Sequence, residues 1–224
     1  VWEHQWPALV AAGYRVVAYS RRGHAGSERG PAGEPGTGSG DLLALLDRLG
    51  IARCDVVGTA GGAIVAVDFA LSHLPRLRSL TLACTILGVV DADYAALTAR
   101  LRPPGFEKMP IDFQELGPSY RAENPDGAAR WLALEHRAHP GGRPRQPTAN
   151  RITWVALRAL DVSTLVVNGD ADLWSPPSVQ RLFLRHLPRA EGVVIRECGH
   201  SAYWEQPEAF NAALLGFLQR HMDA

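Results

Sequence analysis

One stretch, Val56-Val57-Gly58-Thr59-Ala60-Gly61-Gly62-Ala63, constrains this chain more than any other. An apolar run that passes through closely spaced glycines into an alanine-rich segment reads as a strand turning sharply into a helix. Such a turn needs small residues two before and two after its apex. Gly58 and Gly62 hold those places, which makes Ala60 the apex. Further apolar runs at residues 80–84, 165–168 and 193–195 alternate with helix-like segments. That alternation predicts an α/β architecture, a mainly parallel sheet flanked by helices.

The pattern extends upstream. Tyr14-Arg15-Val16-Val17-Ala18-Tyr19 follows an amphipathic stretch and meets the turn-rich Arg21-Arg22-Gly23-His24-Ala25-Gly26-Ser27, predicting helix, strand and loop. Residues 28–40 read as a Gly/Pro-rich linker. After it, Ser39 or Asp41 caps a helix with Leu42, Leu43, Leu45, Leu46 and Leu49 on one apolar face and Gly50 at its end. Between residues 88 and 160 prolines and aromatics break the alternation. The domain reading is therefore an α/β core, residues 1–87 and 161–224, carrying a helical cap insertion at 88–160.

Lys+Arg and Asp+Glu both number 23, a formal net charge of zero, so no global field draws in nucleic acid or an anionic membrane. A small-molecule substrate is expected instead. Cys54, Cys84 and Cys198 are an odd number beside apolar runs, which predicts reduced thiols and a cytoplasmic location. The longest strongly apolar stretch, residues 63–71, falls far short of the ~20 residues that span a bilayer. No basic-then-apolar signal pattern opens the chain.

Three loops follow strands, where open parallel sheets place their ligand sites. They are the turn at Ala60, the run Asn168-Gly169-Asp170-Ala171-Asp172-Leu173-Trp174-Ser175, and the run Glu197-Cys198-Gly199-His200-Ser201-Ala202-Tyr203-Trp204. A carboxylate at one strand end can orient an imidazole at the next. In this order, separated by an insertion and preceded by the Arg-Gly loop at residues 21–27, they resemble the α/β-hydrolase superfamily over nearly the whole chain. The resemblance implies that His200 is the histidine of a catalytic triad, Asp172 its acid and the Gly61 amide an oxyanion donor. It puts Ala60 where that superfamily carries its nucleophile, most often serine. No cofactor or metal is implied.

Two departures follow. An alanine methyl cannot attack a carbonyl, and loss of a serine nucleophile costs on the order of 10⁶ in turnover in serine proteases. The superfamily's first three strands would also precede Trp2. This leaves residues 14–19 and 55–58 without the strand they would share, and buried unpaired backbone is costly. The expectation is a fragment lacking roughly 30 to 50 residues.

Several residues admit more than one reading. Asp170 competes with Asp172 as the acid and is otherwise a turn former. Thr59 as apex would put Val57 where a small residue is required. His136 and His139, with Glu135, have a metal-ligand spacing but no evident third ligand, so a solvated surface is preferred. Cys198 reads as a small buried residue. Thr59, Trp131, Trp174 and Tyr203 are candidates for the substrate pocket. Trp154, Phe106, Phe113, Tyr120 and Trp204 serve equally as pocket lining or as packing.

Three functions stay open. One is an enzyme, a hydrolase of the esterase or lactonase kind or else a lyase or isomerase, that uses His200 and Asp172 without a covalent intermediate on a small, mostly apolar carbonyl compound such as an ester or lactone. Another is a serine hydrolase with an engineered serine-to-alanine change. The third is an inactive small-molecule-binding protein of the same fold.

Overall fold

The computed structural model describes residues 1–31, 33–138 and 146–221. Its elements run α1 (Gln5–Ala11), α2 (Gly38–Arg48), β1 (Cys54–Thr59), α3 (Gly61–His73), β2 (Leu77–Ala83), α4 (Ala92–Leu101), α5 (Ile111–Glu115), α6 (Pro118–Glu123), α7 (Pro125–Ala138), α8 (Trp154–Arg158), β3 (Ser163–Gly169), α9 (Pro177–Leu184), β4 (Ala190–Ile195), α10 (Ala202–Glu205) and α11 (Pro207–Arg220). The four strands form one sheet in the order β1-β2-β3-β4, parallel at every pairing, with Val57 opposite Thr81, Leu82 opposite Val166 and Val167 opposite Val193.

Side chains alternate across a strand, so each strand feeds two cores. Leu80, Leu82 and Val166 pack with Leu42 and Leu46 of α2, Ala63 and Phe69 of α3 and Phe183 of α9. Leu165 and Val167 face the other way, onto Phe210, Leu214 and Phe217 of α11. Each such Leu, Val or Phe contributes about 1.5–3 kcal/mol by leaving water, so apolar burial on both faces holds the sheet. Helices α4 to α8 all lie between β2 and β3. The chain is tied back to the sheet by Asp68 of α3, 1% exposed, whose carboxylate accepts from the Ala149 and Asn150 amides at 2.8 and 2.9 Å and from Asn150 Nδ2 at 2.8 Å.

Two local expectations need correction. Thr37, not Ser39 or Asp41, caps α2, accepting from the Gly40 amide. Asp41 instead accepts from Nε and Nη2 of Arg22, each at 2.7 Å. The residues at 14–19 are not a strand: the run has no ladder partner among the described residues, and Val17 and Tyr19 are 41% and 40% exposed. Among the described residues β1 pairs with β2 alone, and every residue of it except Gly58 is only half-buried. Both the outer edge of β1 and the residues at 14–19 are thus partly exposed and unpaired among the described residues.

Candidate active site

The turn after β1 is set by backbone geometry. Ala60 has φ 48 and ψ −119, a left-handed conformation that costs a non-glycine residue on the order of 1–3 kcal/mol. Hydrogen bonds at its peptide groups hold it there, among them one from the Ala63 amide to the Ala60 carbonyl at 3.1 Å. The Ala60 amide is shared between the carbonyls of Ala83 and Cys84 at 3.0 and 3.1 Å, and Thr85 Oγ1 donates to the Ala60 carbonyl at 3.0 Å. The glycine requirement is one-sided. A Cβ on Gly58 would lie 2.6 Å from the Gly62 carbonyl oxygen and 2.7 Å from Ala63 Cα, whereas one on Gly62 would meet nothing within 4 Å. Gly58 is thus the residue that lets α3 cross β1.

Asp172 and His200 stand at the ends of β3 and β4. The Asp172 carboxylate, 2% exposed, accepts from the Trp174 and Ser175 amides at 2.8 and 2.9 Å and from Ser175 Oγ at 2.9 Å. His200 Nδ1 lies 2.9 Å from both of its oxygens. A carboxylate only accepts, so Nδ1 carries the proton and Nε2 is left for chemistry. Asp170, by contrast, is exposed, with its amide on the Ile195 carbonyl. Burial alone would raise the Asp172 pKa, but His200 and the Ser175 donors outweigh it and hold the carboxyl below its usual range. Burial likewise opposes the imidazolium, yet Asp172, Glu115 and Glu205 overcome it and raise His200 to about 9.

The other candidates take distinct places. Gly61 opens α3, so its amide belongs to the first helical turn, whose N–H groups lack intrahelical acceptors. The Arg21 guanidinium approaches within 3.6 Å of where a Gly61 side chain would begin. Thr59 Oγ1 is buried without a hydrogen-bond partner among the described residues. Trp174 lies 6.1 Å from the His200 ring, edge-on to Phe106 at 4.9 Å and under the Arg102 guanidinium at 4.4 Å. Trp131 and Tyr203 are buried in one cluster with Ala83, Cys84 and Cys198. Burial pushes the Cys84 and Cys198 thiols up, so both stay protonated.

Trp154 is stacked on His186, and Phe113 carries Arg121 over its ring. His136 is exposed and His139 lies outside the described residues; among the described residues no cluster of three or more metal-ligating side chains occurs. Sequence reasoning did not find Ser175, Asn168 or Glu205. Asn168 Nδ2 donates to Ser175 Oγ at 2.8 Å, which fixes the hydroxyl that serves Asp172, and no local pattern announces that bond.

A separate hollow of about 350 Å³, lined by residues including Arg53, Arg78 and Arg189, sits at the opposite ends of the strands. Its arginines are already bonded to the Leu77 carbonyl, Asp55 and Asp161. The strand ends that carry residues 60, 172 and 200 are the ends at which open parallel sheets place their ligand sites.

Comparison with known proteins bears on the family and the fold. Residues 1–213 match the model of the "Alpha/beta hydrolase family". A 2-hydroxy-6-oxononadienedioate/2-hydroxy-6-oxononatrienedioate hydrolase of Burkholderia vietnamiensis is 29% identical over 95% of this chain and 79% of its own length. A thermophilic esterase from Thermogutta terrifontis, solved with malate bound, superposes with a TM-score of 0.81 at 27% identity, over 98% of this chain and 85% of that one. A serine-to-alanine variant of a meta-cleavage product hydrolase from Pseudomonas fluorescens, complexed with acetates, gives 0.74 at 25% identity, over 98% and 84%. No helix among the described residues is long and apolar enough to cross a membrane.

Proposed function

Because the chain belongs to the alpha/beta hydrolase family, we propose that it acts on a small, mostly apolar carbonyl compound, an ester or lactone, with His200 as base, Asp172 as its orienter and residue 60 at the nucleophile position. The observation that carries this reading is the buried contact of His200 Nδ1 with both Asp172 oxygens at 2.9 Å. A binding protein gains nothing from a buried charge pair, whereas a base needs one.

With alanine at 60, the chemistry runs through water. His200 Nε2 takes a proton as the water oxygen bonds to the carbonyl carbon, and the carbonyl electron pair moves to its oxygen, to which the Gly61 amide donates a hydrogen bond. When the carbonyl re-forms, the leaving alkoxide takes the proton back from His200. Proton transfer of this kind contributes about 10²–10⁴-fold. Because Asp172 holds the imidazole protonated above its usual range, this route strengthens toward alkaline pH. Helices between residues 88 and 160 form the cap in this reading: Arg102 and Phe106 rest on Trp174, and the Glu115 carbonyl accepts the His200 amide at 2.8 Å.

A second reading draws on the backbone of Ala60. Its strained conformation serves to raise a side chain over a sheet edge, and a methyl gains nothing from it. That favours a position from which a serine has been removed. Activated esters and lactones assayed with this chain and with Ala60→Ser separate the readings. Turnover by the alanine form that His200→Ala abolishes supports the water route. Turnover only by the serine form, with an acyl-enzyme burst, supports the lost nucleophile. Ligand binding without turnover by either form would overturn both and leave a binding protein.

A further inference from the structure

Glu205, the last residue of α10, is 5% exposed, and no step above uses it. Both of its oxygens receive backbone N–H groups. Oε2 accepts from Gly117 at 2.7 Å and Gly199 at 3.0 Å; Oε1 accepts from Gly199 at 3.0 Å and Ser201 at 3.2 Å. Gly199 and Ser201 flank His200, whereas Gly117 belongs to the segment between β2 and β3. The His200 amide crosses the same seam to the Glu115 carbonyl at 2.8 Å. The seam is closed tightly: a Cβ on Gly117 would lie 2.8 Å from the Gly199 nitrogen and 2.9 Å from Glu205 Oε2, and one on Gly199 would lie 2.6 Å from the Gly117 nitrogen.

We infer that Glu205 is a positioning residue that, in its ionised form, fixes the His200 loop and fastens the segment at residues 115–117 onto it. The role as a positioning residue rests on His200 being the working base; the fastening does not. Three N–H donors converge on two oxygens, so every site around the carboxylate wants an acceptor. A protonated carboxyl turns an O–H toward one of those amides and forfeits at least one bond. The seam is therefore strongest when Glu205 is charged.

Burial resists that charge and the three amides favour it, while Asp172 adds repulsion; the balance raises Glu205 to about 7. Its charge acts on His200, Cys84, Cys198 and Tyr120, Asp172 acts on it, and Glu115 across the seam acts on His200 as well. The two thiols and the phenol stay neutral at this pH, since burial pushes all three up. Near neutral pH the changing partner is Glu205 itself. Its charge also helps hold the His200 proton, so its protonation both loosens the loop and lowers the imidazole's affinity for a proton.

Amide hydrogen exchange and imidazole NMR titration test this in the intact chain and in Glu205→Gln, which keeps the shape but points an NH₂ at an amide donor. The expected result is exchange at Gly117, Gly199 and Ser201 faster by about tenfold or more, unchanged exchange in β3, and a His200 titration moved to lower pH. A folded Glu205→Gln protein with unchanged exchange at those three amides and an unmoved His200 titration would overturn the proposal. Should the variant not fold, the unsubstituted protein decides. After correction for intrinsic rates, protection of the three amides should rise relative to β3 between about pH 6 and 8, and a constant ratio would overturn the proposal. Neither readout requires turnover, so inactivity of the Ala60→Ser form, which bears on the proposed function, leaves this test intact.

Discussion

Gly58→Ala and Gly62→Ala introduce the same methyl group four residues apart and should change stability in opposite directions. At Gly58 the new Cβ meets the Gly62 carbonyl oxygen at 2.6 Å and Ala63 Cα at 2.7 Å, both backbone atoms of the first turn of α3. Neither rotates away, so the helix must shift on the strand. Overpacking of that kind costs about 1–3 kcal/mol. At Gly62 the Cβ meets nothing within 4 Å, and the backbone is not in the left-handed region. Alanine there restricts the unfolded chain and suits the helix, a gain of about 0.5–1 kcal/mol. For a domain of this size 1 kcal/mol moves Tm by roughly 2–4 °C. Differential scanning calorimetry should therefore show Gly58→Ala lower by roughly 2–12 °C and Gly62→Ala higher by about 1–4 °C. Equal shifts of the same sign would refute the one-sided account of the turn.

Two further outcomes follow from buried carboxylates. Asp68→Ala strands the Ala149 and Asn150 donors and should cost about 2–4 kcal/mol in urea unfolding; a loss under about 0.5 kcal/mol would mean that water replaces the carboxylate. The His200 pKa, raised from 6.5 to about 9, contributes stability that is complete below 6.5 and lost as pH rises through about 9. Asp172 works in the other direction, contributing stability above 3.8 that disappears as pH falls through its depressed pKa. Unfolding free energy should fall across the alkaline window, and Asp172→Asn should flatten that fall; a flat profile in the unsubstituted protein counts against the ion pair.

What the sequence determined by itself was whatever depends on neighbours along the chain. Runs such as Leu80 to Cys84 and Leu165 to Asn168 appear as strands within a residue or a few of where they were expected, because period and β-branching act locally. The apex at Ala60 was legible from its glycines. The order of the acid loop and the histidine loop placed Asp172 and His200 at adjacent strand ends, where they meet.

Tertiary structure decided what depends on partners distant in sequence. Residues 14–19 have strand composition, but no strand exists without a ladder partner. The resemblance already preferred Asp172 to Asp170, but the contact that Asp172 makes with His200 is held by burial and by Ser175. Nothing near Glu205 in the sequence reveals that it joins Gly117 to the two residues beside His200, 88 positions apart at the far end. Local geometry is written in propensities and in the glycines a turn demands. A buried carboxylate is explained by its donors, and these are brought to it only when the chain folds.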